Sequence, residues 1–134
     1  MNEPLKLNFL DHVAITVSDL ERSAQWYESV LGLKRYELEA WGKFPIFMLA
    51  GKTGVALFPA KGKSKSVPEI RIHHFAFNVD ATNFQRARTR YEQLQIDYDF
   101  QDHHYFHSIY TLDPDGHKVE LTTLVVSETD VYDR

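Results

Sequence analysis

The chain has no cysteine. That excludes disulfides, thiolate metal ligands and a cysteine nucleophile, and it suits a reducing compartment. Long apolar runs are also missing. The opening "MNEPLKLNFLDH" lacks the apolar core of a secretory signal, and no segment offers the ~20 apolar residues a bilayer crossing needs. A cytoplasmic protein without a membrane partner is therefore expected. Positive charge is sparse too. Lys61–Ser66, "KGKSKS", is the one basic run, and the formal net charge is −4. The run reads as a solvated loop, and no nucleic-acid groove is expected.

With 134 residues there is room for one domain or two small halves packed closely together. Phe9–Val17, "FLDHVAITV", alternates as a strand. Ser18 and Glu21 then stand at capping-box spacing, and Leu20, Ala24, Tyr27 and Leu31 form a helical stripe that Gly32 ends. Strands follow at about Lys34–Trp41, Ile46–Leu49 and Val55–Phe58, with turns at Gly42–Lys43 and Gly51–Gly54. Pro59–Pro68 reads as a linker. The pattern then restarts: a strand at His73–Asp80, a weaker capping box at Thr82 and Gln85, and a stripe of Phe84, Ala87, Tyr91 and Leu94. Strands come last, at about Tyr98–Gln101, Ser108–Leu112 and Lys118–Leu124.

The order β-α-β-β-β thus occurs twice. "HVAITV" repeats as "HFAFNV", aligning His12 with His74, Ala14 with Ala76 and Val17 with Val79. The fold class is α+β: two paired β-α-β-β-β modules forming a curved mixed sheet around a hollow. Module one spans about 8–58, the linker about 59–68 and module two about 70–125, in a single domain over 1–134. Neither half has apolar surface to bury its sheet alone, so a shared concave face is the natural site.

Strand alternation assigns the faces. Val13, Ile15 and Val17, like Phe75, Phe77 and Val79, lie under the helices. His12, Ala14 and Thr16, and His74, Ala76 and Asn78, take the opposite face. On the last strand Glu120 shares that face with Lys118 and Thr122. Two imidazoles and one carboxylate make a three-ligand set for a divalent metal, leaving open positions for water or substrate. By spacing alone, His12 and His74 as ordinary polar residues at strand starts, with Glu120 on a solvated face, is the stronger reading.

Three motifs carry a resemblance: "DHVAITVSDLERSAQWYESVLGL" (Asp11–Leu33), "HHFAFNVD" (His73–Asp80) and "SIYTLDPDGHKVEL" (Ser108–Leu121). In this order the chain resembles the vicinal oxygen chelate superfamily. That group includes glyoxalase I, fosfomycin-inactivating thiol transferases, bleomycin-resistance proteins and extradiol dioxygenases. The resemblance covers about residues 8–125 and implies a metal held by His12, His74 and Glu120. A fourth ligand, as in glyoxalase I-like members, would fall at Ala56 or Phe58, neither of which binds metal. This speaks against glyoxalase I activity. Chain length favours the thiol-transferase branch over the larger dioxygenases, but Ala14 stands where fosfomycin enzymes carry threonine or cysteine.

The resemblance implies a metal-dependent enzyme that chelates a small substrate through neighbouring oxygens. The metal would be Fe, Mn, Zn, Ni or Co, acting as a Lewis acid. Glu120, Tyr110 and Ser108 are the candidate catalytic residues, with Tyr110 offering a hydrogen bond or proton to bound substrate. A non-catalytic protein that sequesters a small molecule is the alternative. Among the remaining histidines, His103, His104 and His107 lie in a loop just before the site strand, which reads first as a solvent-exposed loop and otherwise as holding one acid–base group. His73 should point away from His74, and His117 should be exposed. Trp41, Phe44 and Phe47 are candidates for an aromatic wall or for core. A homodimer is expected, with modules paired within one chain or between two. The tail Ser127–Arg134 is open to either disorder or a dimer contact.

Overall fold

Alternating side chains build the first strand. In the computed structural model, which describes residues 4, 8–60 and 72–130, β1 is His12–Val17. Its even positions are exposed, while Ile15 and Val17 are buried. The remaining elements of the first module are α1 (Leu20–Leu31), β2 (Lys34–Tyr36), β3 (Ile46–Ala50) and β4 (Thr53–Pro59). The second holds β5 (Phe75–Asn78), α2 (Ala81–Gln93), β6 (Asp99–Asp102), β7 (Phe106–Leu112) and β8 (Lys118–Leu124). The expected β-α-β-β-β order is present twice. The first sheet runs β1-β4-β3-β2 and the second β5-β8-β7-β6. In each, the first and last strands pair in parallel and the other pairs are antiparallel. The chain divides into two compact units, residues 1–63 and 64–134.

In the first unit α1 lays Ser23, Ala24, Tyr27 and Val30 against the sheet, over a core that includes Met48, Val55 and Leu57. The stripe is centred a little off the expected one: Leu20 and Leu31 flank it and are only half-buried. In the second unit Phe84 and Tyr91 are the buried residues of α2. Leu94, expected in that stripe, is 51% exposed, because the helix ends at Gln93 and Leu94 is its cap.

Both capping boxes are displaced. Asp19, not Ser18, caps α1, accepting from the Arg22 amide at 3.0 Å. Glu21 cannot reach back, because Arg35 holds its carboxylate with two hydrogen bonds of 2.7 and 2.8 Å. That pairing holds the Glu21 carboxyl below its usual range. Asp80, not Thr82, caps α2, accepting from the Asn83 amide at 2.8 Å. Aspartate caps as well as a nearby hydroxyl does, so either neighbour could start each helix.

The long strand expected at Lys34–Trp41 ends at Tyr36, and Glu39–Trp41 forms a helical turn. Tyr36 pairs with Phe47. Continuing the ladder would soon bring β2 opposite Pro45, which has no N–H to donate. Gly32 ends α1 at φ 70°, as expected. Pro59 belongs to β4 rather than to a linker, and "KGKSKS" lies outside the described residues. The tail makes a helical turn at Glu128–Asp130, and residues 131–134 lie outside the described part.

Candidate metal centre

Glu120 sits in the middle of β8, with Ala76 of β5 beside it on one flank and Tyr110 of β7 on the other. It is 7% exposed. A carboxylate taken this far from water is costly unless its oxygens are satisfied. Here both are. Oε2 accepts from the fully buried Ser108 hydroxyl at 2.6 Å, a short charge-assisted bond, and Oε1 lies 3.1 Å from His74 Nε2. Ser108 Oγ is also 3.0 Å from Thr122 Oγ1. Glu120 is therefore not part of a solvated face.

His74 precedes β5, so strand alternation does not yet act on it or on His73. That is why His73, expected on the opposite side, instead stands beside His74. Their Nδ1 atoms are 2.9 Å apart and the rings meet edge to face at 5.1 Å. With Nδ1 engaged, His74 turns Nε2 to the carboxylate. His12, in the first unit, is held in a similar way. Its Nδ1 is 2.8 Å from Asp11 Oδ1, and Nε2 is left as the donor atom. An outer partner that fixes one ring nitrogen and presents the other is how metal-binding histidines are oriented. The sequence signals are the dipeptides "DH" and "HH".

These donors fit a divalent first-row metal: imidazole nitrogen and carboxylate oxygen, two of them already converged within the second unit. Among the described residues no three metal-binding side chains come together as a group. His12 belongs to the first unit and the other two to the second. The positions expected not to supply a fourth ligand, Ala56 and Phe58, lie on β4.

Tyr110 shares the site face. Its ring stands edge to face with His74 at 5.8 Å, and its hydroxyl is 2.9 Å from His103 Nε2. Burial, then the charge and hydrogen bond of Glu120, push its pKa up, against an opposing hydrogen bond from Ser108. His107 is elsewhere. It pairs with Asp102 across the hairpin, packs on Phe100 at 5.1 Å and lies on the face away from Tyr110. His104 is exposed at the hairpin tip with φ 66°. His117, expected to be exposed, is half-buried. Its Nδ1 is 2.8 Å from Asp113 Oδ2, whose other oxygen accepts from the Asp115 and His117 amides. The DPDG turn folds Asp113 inward and draws the imidazole with it.

In the first unit, rings run outward from His12. Phe47 is 5.0 Å from it, and Trp41 is 5.0 Å from Phe47. Phe44 meets Phe58 at 6.2 Å. Trp41 and Phe44 are more than 40% exposed, so they are not core.

The family model of the Glyoxalase/Bleomycin resistance protein/Dioxygenase superfamily matches residues 9–121. The chain belongs to that superfamily. Within it, the chain is 30% identical to a metallothiol transferase FosB of Staphylococcus epidermidis, covering 89% of this chain and 84% of that one. It is 33% identical to a glutathione transferase FosA of Serratia marcescens, over 86% and 80%. Among solved structures, a glyoxalase/dioxygenase from Nostoc punctiforme aligns with a TM-score of 0.74 at 25% identity, over 94% of this chain and 99% of that one. The superfamily's fold is thus carried over nearly the whole chain. No described helix is long and apolar enough to cross a membrane.

Proposed function

We propose that this chain is a metal-dependent transferase that adds a thiol to a small oxygenated electrophile. The buried Glu120 carboxylate, held by Ser108 and aimed at His74 Nε2, carries the reading. The names of the FosB and FosA relatives support the thiol-transfer class. His74 and Glu120 supply two ligands. His12, at the repeat-equivalent position of the first unit, is the proposed third, contributed by the same chain or by a second copy in a homodimer. When bound, the metal supplies Lewis-acid stabilisation of oxyanionic charge on the substrate.

The chain's own residues do the rest. Ser108 fixes the plane of the Glu120 carboxylate. Tyr110 keeps its proton at neutral pH, because burial and Glu120 both raise its pKa, and it offers a hydrogen bond to a substrate oxygen. Ala14 offers no polar group at the position where fosfomycin enzymes have one, so a less polar epoxide than fosfomycin is the expected substrate.

Metal analysis of protein purified without chelator tests the reading. About one Mn, Zn or related ion per site is expected, lost in His74→Ala and in His12→Ala, with glutathione consumed against a small epoxide. Protein that takes up no metal on titration would sink it. If iron is found instead, oxygen uptake with catechols is the discriminating assay. The exposed rings beside His12 favour a second reading, non-catalytic capture of a flat ligand. In that case a ligand would quench Trp41 fluorescence without being turned over.

A further inference from the structure

We propose that His103 is a positioning residue: its Nε2–H donates to the Tyr110 hydroxyl oxygen and so commits the tyrosine's own hydrogen to the Glu120 side. Its functional consequence rests on the reading above, whereas the hydrogen bond is a property of the second unit alone. Nε2 and Oη are 2.9 Å apart, with the rings at 88°. His103 is exposed, but its backbone is fixed. Its amide donates to Phe106 O at 2.8 Å, its carbonyl accepts from the Tyr105 amide at 2.7 Å, and the next amide donates to Asp102 Oδ1 at 2.9 Å. Tyr110 is fixed in turn by pairing with Asp99 and Glu120 on the two neighbouring strands.

A phenol has one hydrogen and two lone pairs. If Tyr110 donated to His103, it would present only lone pairs on the face it shares with the anionic Glu120, its cross-strand neighbour. With His103 donating instead, the phenol hydrogen turns toward that carboxylate. Ser108 already donates to Glu120, and Tyr110 is the cross-strand neighbour of that carboxylate. A substrate oxygen arriving on that face meets a tyrosine hydrogen already aimed away from His103.

The test has two arms. In metal-free protein labelled with 15N-histidine, the His103 Nε2–H should appear as a ring proton protected from exchange, and it should vanish in Tyr110→Phe. A His103 protonated only at Nδ1, or a ring spectrum unchanged by Tyr110→Phe, overturns the proposal. In the metal-loaded protein, with glutathione and a small epoxide as probes, His103→Ala should lower kcat roughly three- to tenfold, the worth of one hydrogen bond. KM and metal content should hold. His103→Gln, which keeps an N–H donor, should restore most of the rate, and His103→Ala should cost nothing further in a Tyr110→Phe background. An equal loss in that background overturns the proposal. If no probe turns over, the thiol-transfer reading fails while the spectroscopic arm still decides the role of His103.

Discussion

Ser108 has one hydroxyl hydrogen, and the geometry gives it to Glu120 at 2.6 Å. Removing it leaves a buried carboxylate oxygen without its donor. Ser108→Ala should therefore destabilise the protein by about 1–3 kcal/mol, read as a lower urea midpoint. His117 makes a prediction with a sign. The Asp113 carboxylate raises its pKa above the ordinary value, outweighing partial burial. The folded state therefore binds that proton more tightly than the unfolded one. The resulting stability is full below about pH 6.5 and is lost as pH rises through the raised value. His117→Gln should flatten the fall in urea midpoint over that rise, and an unchanged profile would refute the assignment. At this scale alternation and the repeat pointed to His74 and Glu120, and the family resemblance added Ser108 and Tyr110. It did not mark Asp113 as the partner of His117, or His103 as the partner of Tyr110. Those contacts depend on how a turn and a hairpin tip fold back, and no periodicity encodes that.

β4 is the strand on which the first sheet depends, since it pairs with β1 on one side and β3 on the other. Gly54 is its tight point. It sits opposite His12 on β1 and Leu49 on β3, and a Cβ there would stand 2.1 Å from the Met48 carbonyl oxygen. That oxygen is backbone and has no rotamer to escape into. Gly54→Ala should cost about 1–3 kcal/mol, seen as a lowered denaturation midpoint. If His12 is the third ligand proposed above, Gly54→Ala should also weaken metal uptake, because His12 shares the disturbed register. The elements themselves were largely legible: β8 begins and ends where alternation places it, and Gly32 stops α1. The displaced helix starts share one cause. Ser18 and Asp19 are both competent caps, as are Asp80 and Thr82, and only packing selects between neighbours.

At the scale of the whole chain, two modules with the same strand order follow from one repeated pattern, "HVAITV" and "HFAFNV". The proposed metal, if bound, should raise stability. Mn2+ or Zn2+ added to chelator-treated protein at about a hundred times Kd should add about 2.7 kcal/mol of stability. A rise in Tm with the wild type, and none with His74→Ala or Glu120→Gln, is the expected result. The parallel pairing of β5 with β8 has one more consequence. It joins the first and last strands of its module, setting Ala76 against Glu120 and so bringing His74 within reach. Nothing local in the chain brings that histidine and that carboxylate together. They meet only once the helix and hairpin between them have closed a long loop, which places their encounter late in folding. A chain caught before that closure would carry both donor atoms and still be unable to chelate. The His74–Glu120 pair would then mark the completed module, distinguishing it from a collapsed intermediate that already has its helix and hairpin.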